Sequence, residues 1–271
     1  MKKVKATKEM PPVMILCGGM GSRLRDVTEL LPKPMVPIGT QPIVWHIMKI
    51  YAAFGVKRFI LCLGYKRECF IDYFLNYHAY ATDITVSLGQ HGKITYQNHS
   101  GEEEWEVTLA NTGLETMTGG RVVRAGKYLR EDDEDFFLTY GDAVANIDIQ
   151  TLYKAHLKHG RLLTLTAVHQ AGRFGEIELD GNRINRFNEK PPNEGYVNGG
   201  FMVLKKDFIK RYISGQEDVF FENTPMMNAT ADHQAEAYKH EGFWQCMDTP
   251  REHHLLNALW QAGNAPWTEA W

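Results

Sequence analysis

The chain has 271 residues, 44% of them hydrophobic and 23% charged, enough apolar material for a sizeable core, which excludes long-range disorder. Thirty Lys and Arg against 33 Asp and Glu give a formal charge of −3. That balance argues against a protein whose task is to grip nucleic acid or an anionic membrane, and leaves room for a local basic pocket for a small anion.

The basic start Met1-Lys2-Lys3-Val4-Lys5 is followed by no apolar stretch, so it does not read as a secretory signal. Nor does any later run approach the roughly 18 apolar residues of a membrane span. Residues 1–12 are expected to be a flexible arm ahead of one domain over 13–271. Val13-Met14-Ile15-Leu16 reads as a buried strand that Gly18-Gly19-Met20-Gly21 ends. Ile43, Ile47, Ile50 and Phe54 recur at helical spacing, with Thr40 as expected cap, Pro42 in the first turn and Gly55 at the end. Arg58 to Gly64 is a second buried strand. Strand, helix, strand implies a βαβ unit and a parallel sheet.

Further strands are expected at Asp83 to Leu88, Phe136 to Tyr140, Leu162 to Val168, Val197 to Leu204 and Glu236 to Lys239, with helices at Ile149 to His159 and Arg251 to Gly263. Asp180-Gly181 signals a hairpin over Ile177 to Ile184. The fold class is therefore α/β: a mostly parallel Rossmann-like sheet flanked by helices, with antiparallel additions in the C-terminal half. Cys17, Cys62, Cys69 and Cys246 form no C-x-x-C pair; they read as reduced, buried thiols of a cytoplasmic protein, with no zinc site. The acidic run Glu131 to Asp135 reads as a solvated turn, and His253-His254 as part of an exposed helix face.

Ligands of open α/β sheets bind beyond the carboxyl ends of strands, and two such ends stand out. Leu16-Cys17-Gly18-Gly19-Met20-Gly21-Ser22-Arg23 is either a tight turn or a loop whose main-chain N–H groups approach phosphate oxygens, with Arg23 adding a bidentate contact. It is not a Walker A loop, and it lacks the third glycine and the acidic partner of a dinucleotide fingerprint. No Asp or Glu occurs between Leu30 and Arg67, whereas Lys33, Lys49, Lys57, Arg58, Lys66 and Arg67 do; a positive field beside a glycine loop suits a polyphosphate. Prolines 32 and 34 hold Lys33 in an extended segment, which fixes its ammonium or simply stiffens an exposed lysine. At the second strand end, Gly141-Asp142 offers either a turn cap or a carboxylate for Mg²⁺, with Asp248 as a possible companion.

The ordered set resembles the sugar-1-phosphate nucleotidylyltransferases: Leu16 to Leu24, then Pro32-Lys33-Pro34-Met35, Gly141-Asp142, Glu189-Lys190-Pro191 and Asn198-Gly199-Gly200. Pro42 to Lys49, Asn111-Thr112-Gly113, Met117 to Arg121, Gly172 to Gly175, Gly242 to Gln245 and Ala265-Pro266-Trp267 look like the branch that moves a cytidylyl group from CTP to glucose 1-phosphate. The likeness runs from about Val13 to Trp271. The resemblance implies that Leu16 to Arg23, Lys33, Thr118, Arg121 and Gly141 bind the nucleotide. It further implies that Arg23, Lys33 and Asp142 are catalytic, Glu189, Lys190 and Asn198 hold the sugar phosphate, and Asp142 and Asp248 hold Mg²⁺. It also implies a homo-oligomer acting on small substrates, without nucleic acid or membrane.

Three departures bear on the acceptor sugar. Leu31 stands where the family has a second lysine. Gly141-Asp142-Ala143-Val144-Ala145-Asn146 replaces Gly-Asp-Gly-Val-Ala-Asp, and Val219 to Met227 is atypical. The same chemistry on another phosphorylated acceptor, and a catalytically silent subunit binding a sugar nucleotide, are the competing readings; retention of Arg23, Lys33, Asp142, Lys190 and Asp248 speaks against the second.

Overall fold

The structure is a computed structural model that describes residues 9–19, 30–89, 92–97, 104–170, 176–181, 183–188, 195–215 and 218–271. Residues 1–8 of the expected arm lie outside that set. Pro11 and Pro12 are buried, and the Pro12 carbonyl accepts from Phe137 N–H at 2.8 Å.

Strand β1 (Val13–Leu16) is buried at every residue. Next come the short paired strands β2 (Pro37–Ile38) and β3 (Gln41–Pro42), helix α1 (Ile43–Ala52) and the fully buried β4 (Arg58–Leu63). Thr40 does not cap α1. It shares with Gly39 the turn joining β2 to β3, and Pro42 takes the N-cap place, because residues 37–42 already pair their backbone as a small hairpin. Helices α2 (Arg67–Leu75) and α3 (Tyr77–Ala81) lead to the hairpin of β5 (Ile84–Ser87) and β6 (Lys93–Tyr96), then to β7 (Glu106–Asn111) and α4 (Thr118–Ala125). The chain continues through β8 (Asp135–Tyr140), β9 (Ala143–Ala145), α5 (Ile149–His159) and β10 (Leu163–Val168). The expected hairpin is present as β11 (Glu176–Asp180) and β12 (Arg183–Asn188). Finally come β13 (Val197–Lys205), α6 (Thr224–Ala231), β14 (Ala235–His240), β15 (Trp244–Cys246) and α7 (Pro250–Gln261).

Seven strands form one sheet in the order β14-β10-β13-β8-β1-β4-β7. The β8-β1-β4-β7 run is parallel, as is β10-β14; β13 runs antiparallel to both of its neighbours. Side chains alternate between the two faces, as the period of a strand requires. Val13 and Ile15 of β1 join Phe59, Leu61 and Phe137 on one face; Met14 and Leu16 join Ile60, Phe136 and Leu138 on the other. Helices α1, α5 and α7 cover the first face and α4 and α6 the second. The sheet is thus sandwiched, which is why its central strands β1, β4 and β8 are buried nearly throughout, whereas the edge strands β7 and β14 are only partly buried.

The acidic run is the expected solvated turn only in part: Glu131, Asp132 and Glu134 are exposed, whereas Asp133 and Asp135 are drawn inward. Asp133 takes a two-pronged bond from Arg58 at 2.7 and 3.0 Å. Buried Asp135 accepts from Tyr153 at 2.9 Å and faces His156. Strand β8 begins there, so the carboxylates are drawn into the base of the sheet.

Candidate active site

Parallel pairing brings the carboxyl ends of β1, β4, β7 and β8 to one edge, and there an open cavity of about 810 Å³ is lined by Leu16, Cys17, Gly18 and Gly19 after β1, and by Tyr140, Gly141 and Asp142 after β8. Asp248 reaches the same place from 106 residues further on, and the register explains how. Strand β15 pairs antiparallel with β9, Cys246 opposite Ala143, and Met247 N–H donates to the Asp142 carbonyl at 2.8 Å. Two residues beyond the pair, Asp248 therefore stands beside Asp142. A capping box at the start of α7 aims it: Glu252 accepts from the N–H groups of Asp248 and Thr249 at 2.7 and 2.9 Å, while Thr249 accepts from Glu252 N–H.

Lys33 stands between the two carboxylates. Its ammonium donates to Asp142 Oδ2 at 2.7 Å and to Asp248 Oδ1. It belongs to a short helical turn, Lys33–Met35, and is almost fully buried. Burial works against its charge, but Asp142 and Asp248 outweigh that effect and hold its pKa above the ordinary lysine value. The turn needs Gly141: a Cβ there would stand 2.9 Å from Pro34 and 3.2 Å from the Cys17 sulfur. Among Lys33, Lys49, Lys57, Arg58, Lys66 and Arg67, only Lys33 lines the cavity. Of the others, Arg58 pairs with Asp133, Lys57 with Glu104, and Lys49 lies over the Trp45 and Trp271 rings, so Lys33 is the one cation of that stretch in the cavity wall.

Thr118 and Arg121, on α4, line the cavity too. The Arg121 guanidinium is buried and spent on the protein: it donates to the carbonyls of Gly18, Leu63, Gly113 and Leu114 and to the Thr112 hydroxyl, at 2.8–3.2 Å. It thereby fastens together the ends of β1, β4 and β7. Gly18 has to be glycine for this reason, since a Cβ would meet the guanidinium carbon at 2.1 Å, whereas a Cβ on Gly19 would meet no described residue within 4 Å. Asn198, on β13, reaches the cavity through Tyr140: its amide nitrogen lies 3.3 Å from the Tyr140 oxygen. Met20, Gly21, Ser22, Arg23, Glu189 and Lys190 lie outside the described residues.

Sequence reasoning passed over Tyr140, Glu222, Asp218 and Phe220. Tyr140 adjoins Gly141-Asp142, and the others fall in or beside the stretch flagged as atypical, so position was the available signal. Cys17 and Cys246 are buried near the carboxylates; burial raises the first thiol far above its ordinary value and pushes the second up to about 12. Neither is a poised thiolate nucleophile. Among the described residues the site therefore offers cationic and anionic anchors, free main-chain approach at Gly19 and no nucleophile–base pair, an inventory suited to positioning polyanions.

Two carboxylates that converge on one cation also constitute a hard-oxygen donor set for a divalent ion. No third His, Cys, Asp or Glu joins them among the described residues, so the remaining ligands would come from substrate and water.

A family model described as nucleotidyl transferase matches residues 12–249. Two glucose-1-phosphate cytidylyltransferases, from Salmonella typhi and Salmonella typhimurium, are each 42% identical to the chain over 255 residues, covering 94% of it and 97% of those proteins. The crystal structure of HddC from Yersinia pseudotuberculosis superposes with a TM-score of 0.65 at 23% identity, over 93% of this chain and all of that one; that likeness concerns the fold.

Proposed function

The chain belongs to the nucleotidyl transferase family, and from that premise we propose that it transfers the cytidylyl group of CTP to α-D-glucose 1-phosphate, giving CDP-glucose and pyrophosphate. The observation that carries the proposal is the convergence of Lys33, Asp142 and Asp248 at the carboxyl edge of the sheet beside the glycines that end β1. Kinship over nearly the whole length with two cytidylyltransferases supplies the base and the acceptor.

The acceptor phosphate, with a second pKa near about 6, is already ionised at neutral pH. Its oxygen bonds to the α-phosphorus of CTP while the bond from that phosphorus to the bridging oxygen breaks and pyrophosphate departs. No general base is required, which agrees with a cavity in which the described residues form no nucleophile–base pair. Catalysis then rests on alignment and on offsetting negative charge. Lys33 supplies one fixed positive charge, and Gly19 leaves the main chain open to phosphate oxygens. Arg23, Glu189, Lys190 and Asn198 are assigned by family position, the first to the triphosphate and the others to the sugar phosphate. Asp142 and Asp248 would hold a divalent cation, Mg²⁺ by preference for hard oxygens, which would neutralise phosphate charge and steady the leaving group.

The chain is proposed to act as a homo-oligomer in the cytoplasm. The hairpin of β5 and β6 supports the first, since Ile84, Val86, Ile94 and Tyr96 share one exposed face by their register. Four free thiols suit a reducing compartment. No helix among the described residues is long and apolar enough to cross a membrane. The test is pyrophosphate release from CTP with a panel of sugar 1-phosphates. Release with glucose 1-phosphate and formation of CDP-glucose are expected; release only with another acceptor would refute the assignment.

A further inference from the structure

We infer that Glu222 is a positioning residue that sets the hydrogen-bond polarity of one cavity wall, so that this wall accepts hydrogen bonds from the bound substrate and donates none through its two hydroxyls. The inference rests on the cytidylyl-transfer reading of the same cavity and adds what that reading leaves open, the basis of recognition beyond the phosphates.

Glu222 follows Phe221, whose fully buried ring anchors the approach to α6. One Glu222 oxygen accepts from the Tyr140 hydroxyl at 2.5 Å and the other from the Thr118 hydroxyl at 2.8 Å. Tyr140 and Thr118 line the cavity; Glu222 does not. A carboxylate has no hydrogen to give, and each hydroxyl has one. Both hydroxyl hydrogens are therefore turned toward Glu222 and away from the cavity. The oxygens left behind are acceptors: Thr118 takes the Phe221 N–H at 2.8 Å, Tyr140 takes the Asn198 amide at 3.3 Å, and each keeps a lone pair. Elements far apart in sequence thus converge to orient two hydroxyls.

A wall of acceptors favours a ligand group that brings a hydrogen and penalises one that brings only lone pairs, because an unmatched buried acceptor loses its water without replacement. CTP and glucose 1-phosphate supply such donors in two places, the exocyclic amine of cytosine and the hexose hydroxyls. Uracil, with a carbonyl in place of the amine, sets acceptor against acceptor.

The test is Glu222→Gln, which keeps the shape but replaces one acceptor by an N–H donor and so frees a hydroxyl hydrogen to turn into the cavity. Calorimetric affinities for CTP, UTP and CDP-glucose are measured in the wild type, in Glu222→Gln and in Tyr140→Phe, with melting temperatures alongside. CDP-glucose affinity is expected to fall about fivefold or more in Glu222→Gln at unchanged melting temperature, and to fall likewise in Tyr140→Phe, which lacks the oriented oxygen. An equal loss for CTP with a gain for UTP assigns the wall to the cytosine amine; a loss confined to CDP-glucose assigns it to the hexose. Affinities within twofold of wild type, or equal losses for all three ligands with a lowered melting temperature, would overturn the inference. If Glu222→Gln does not fold, wild-type affinities in Tyr140→Phe overturn it alone. Binding is read without turnover, so wild-type protein that makes no CDP-glucose would refute the proposed reaction separately.

Discussion

Lys33 carries two tasks that pull against each other. Prolines on either side fix its segment, and in this structure its ammonium satisfies Asp142 and Asp248, the same oxygens that would hold a divalent cation. Lysine and metal compete there. In Lys33→Met the two carboxylates lose the ammonium between them, so the free protein is expected to bind Mn²⁺ at least about tenfold more tightly than wild type, since a charge-assisted bond contributes roughly 1.5–3 kcal/mol. Paramagnetic resonance of Mn²⁺ without nucleotide measures this directly. Unchanged or weaker binding would mean that the two aspartates do not form the cation site. The same variant should bind CTP less tightly, since a fixed positive charge is lost.

At the level of elements, the strands and helices that carry strong periodicity were legible in advance. Helix α5 matches its expected bounds, and β1, β4, β8, β13 and α7 lie within a residue or two of theirs. Strand β7 was not legible, because Glu106–Asn111 is only partly apolar and owes its place to pairing with β4. The pairing of β9 with β15, which brings Asp248 to Asp142, joins three-residue segments about a hundred positions apart, and no local pattern announces such a contact. Site residues were readable where glycine or proline marks the backbone, as at Gly18, Lys33 and Asp142. They were hidden where a side chain works through another, as Glu222 does through Tyr140. The hairpin of β5 and β6 yields a prediction of its own. Its one-sided apolar face is largely exposed, with His78 touching only the Tyr96 ring, so Ile94→Lys should lower the oligomer mass seen by light scattering and leave the melting of the subunit core unchanged. An assembly of unaltered mass would exclude this face from the interface.

Across the whole molecule, the chain end is tied to the first helix. His46 of α1 is fully buried; its Nε2 lies 3.0 Å from the Ile38 carbonyl and its Nδ1 accepts from the Trp267 indole at 3.3 Å. Burial pushes its pKa down to about 4, against an ordinary value near 6.5. Between those two values the unfolded chain takes up a proton that the folded one refuses, so this contribution to stability is complete above about pH 6.5 and is lost as pH falls toward 4. At pH 5 the loss is about 2 kcal/mol. His46→Gln should flatten the melting temperature against pH over this window, and parallel curves for variant and wild type would show that His46 does not govern it. The cavity's choice among nucleotides is the property on which everything else depends. The most direct measurement offers CTP, UTP, ATP and dTTP together at equal concentration with glucose 1-phosphate and a divalent cation, and separates the sugar nucleotides by anion exchange with mass detection. CDP-glucose as the dominant product is the result predicted here; UDP- or dTDP-glucose in equal or greater amount would contradict it.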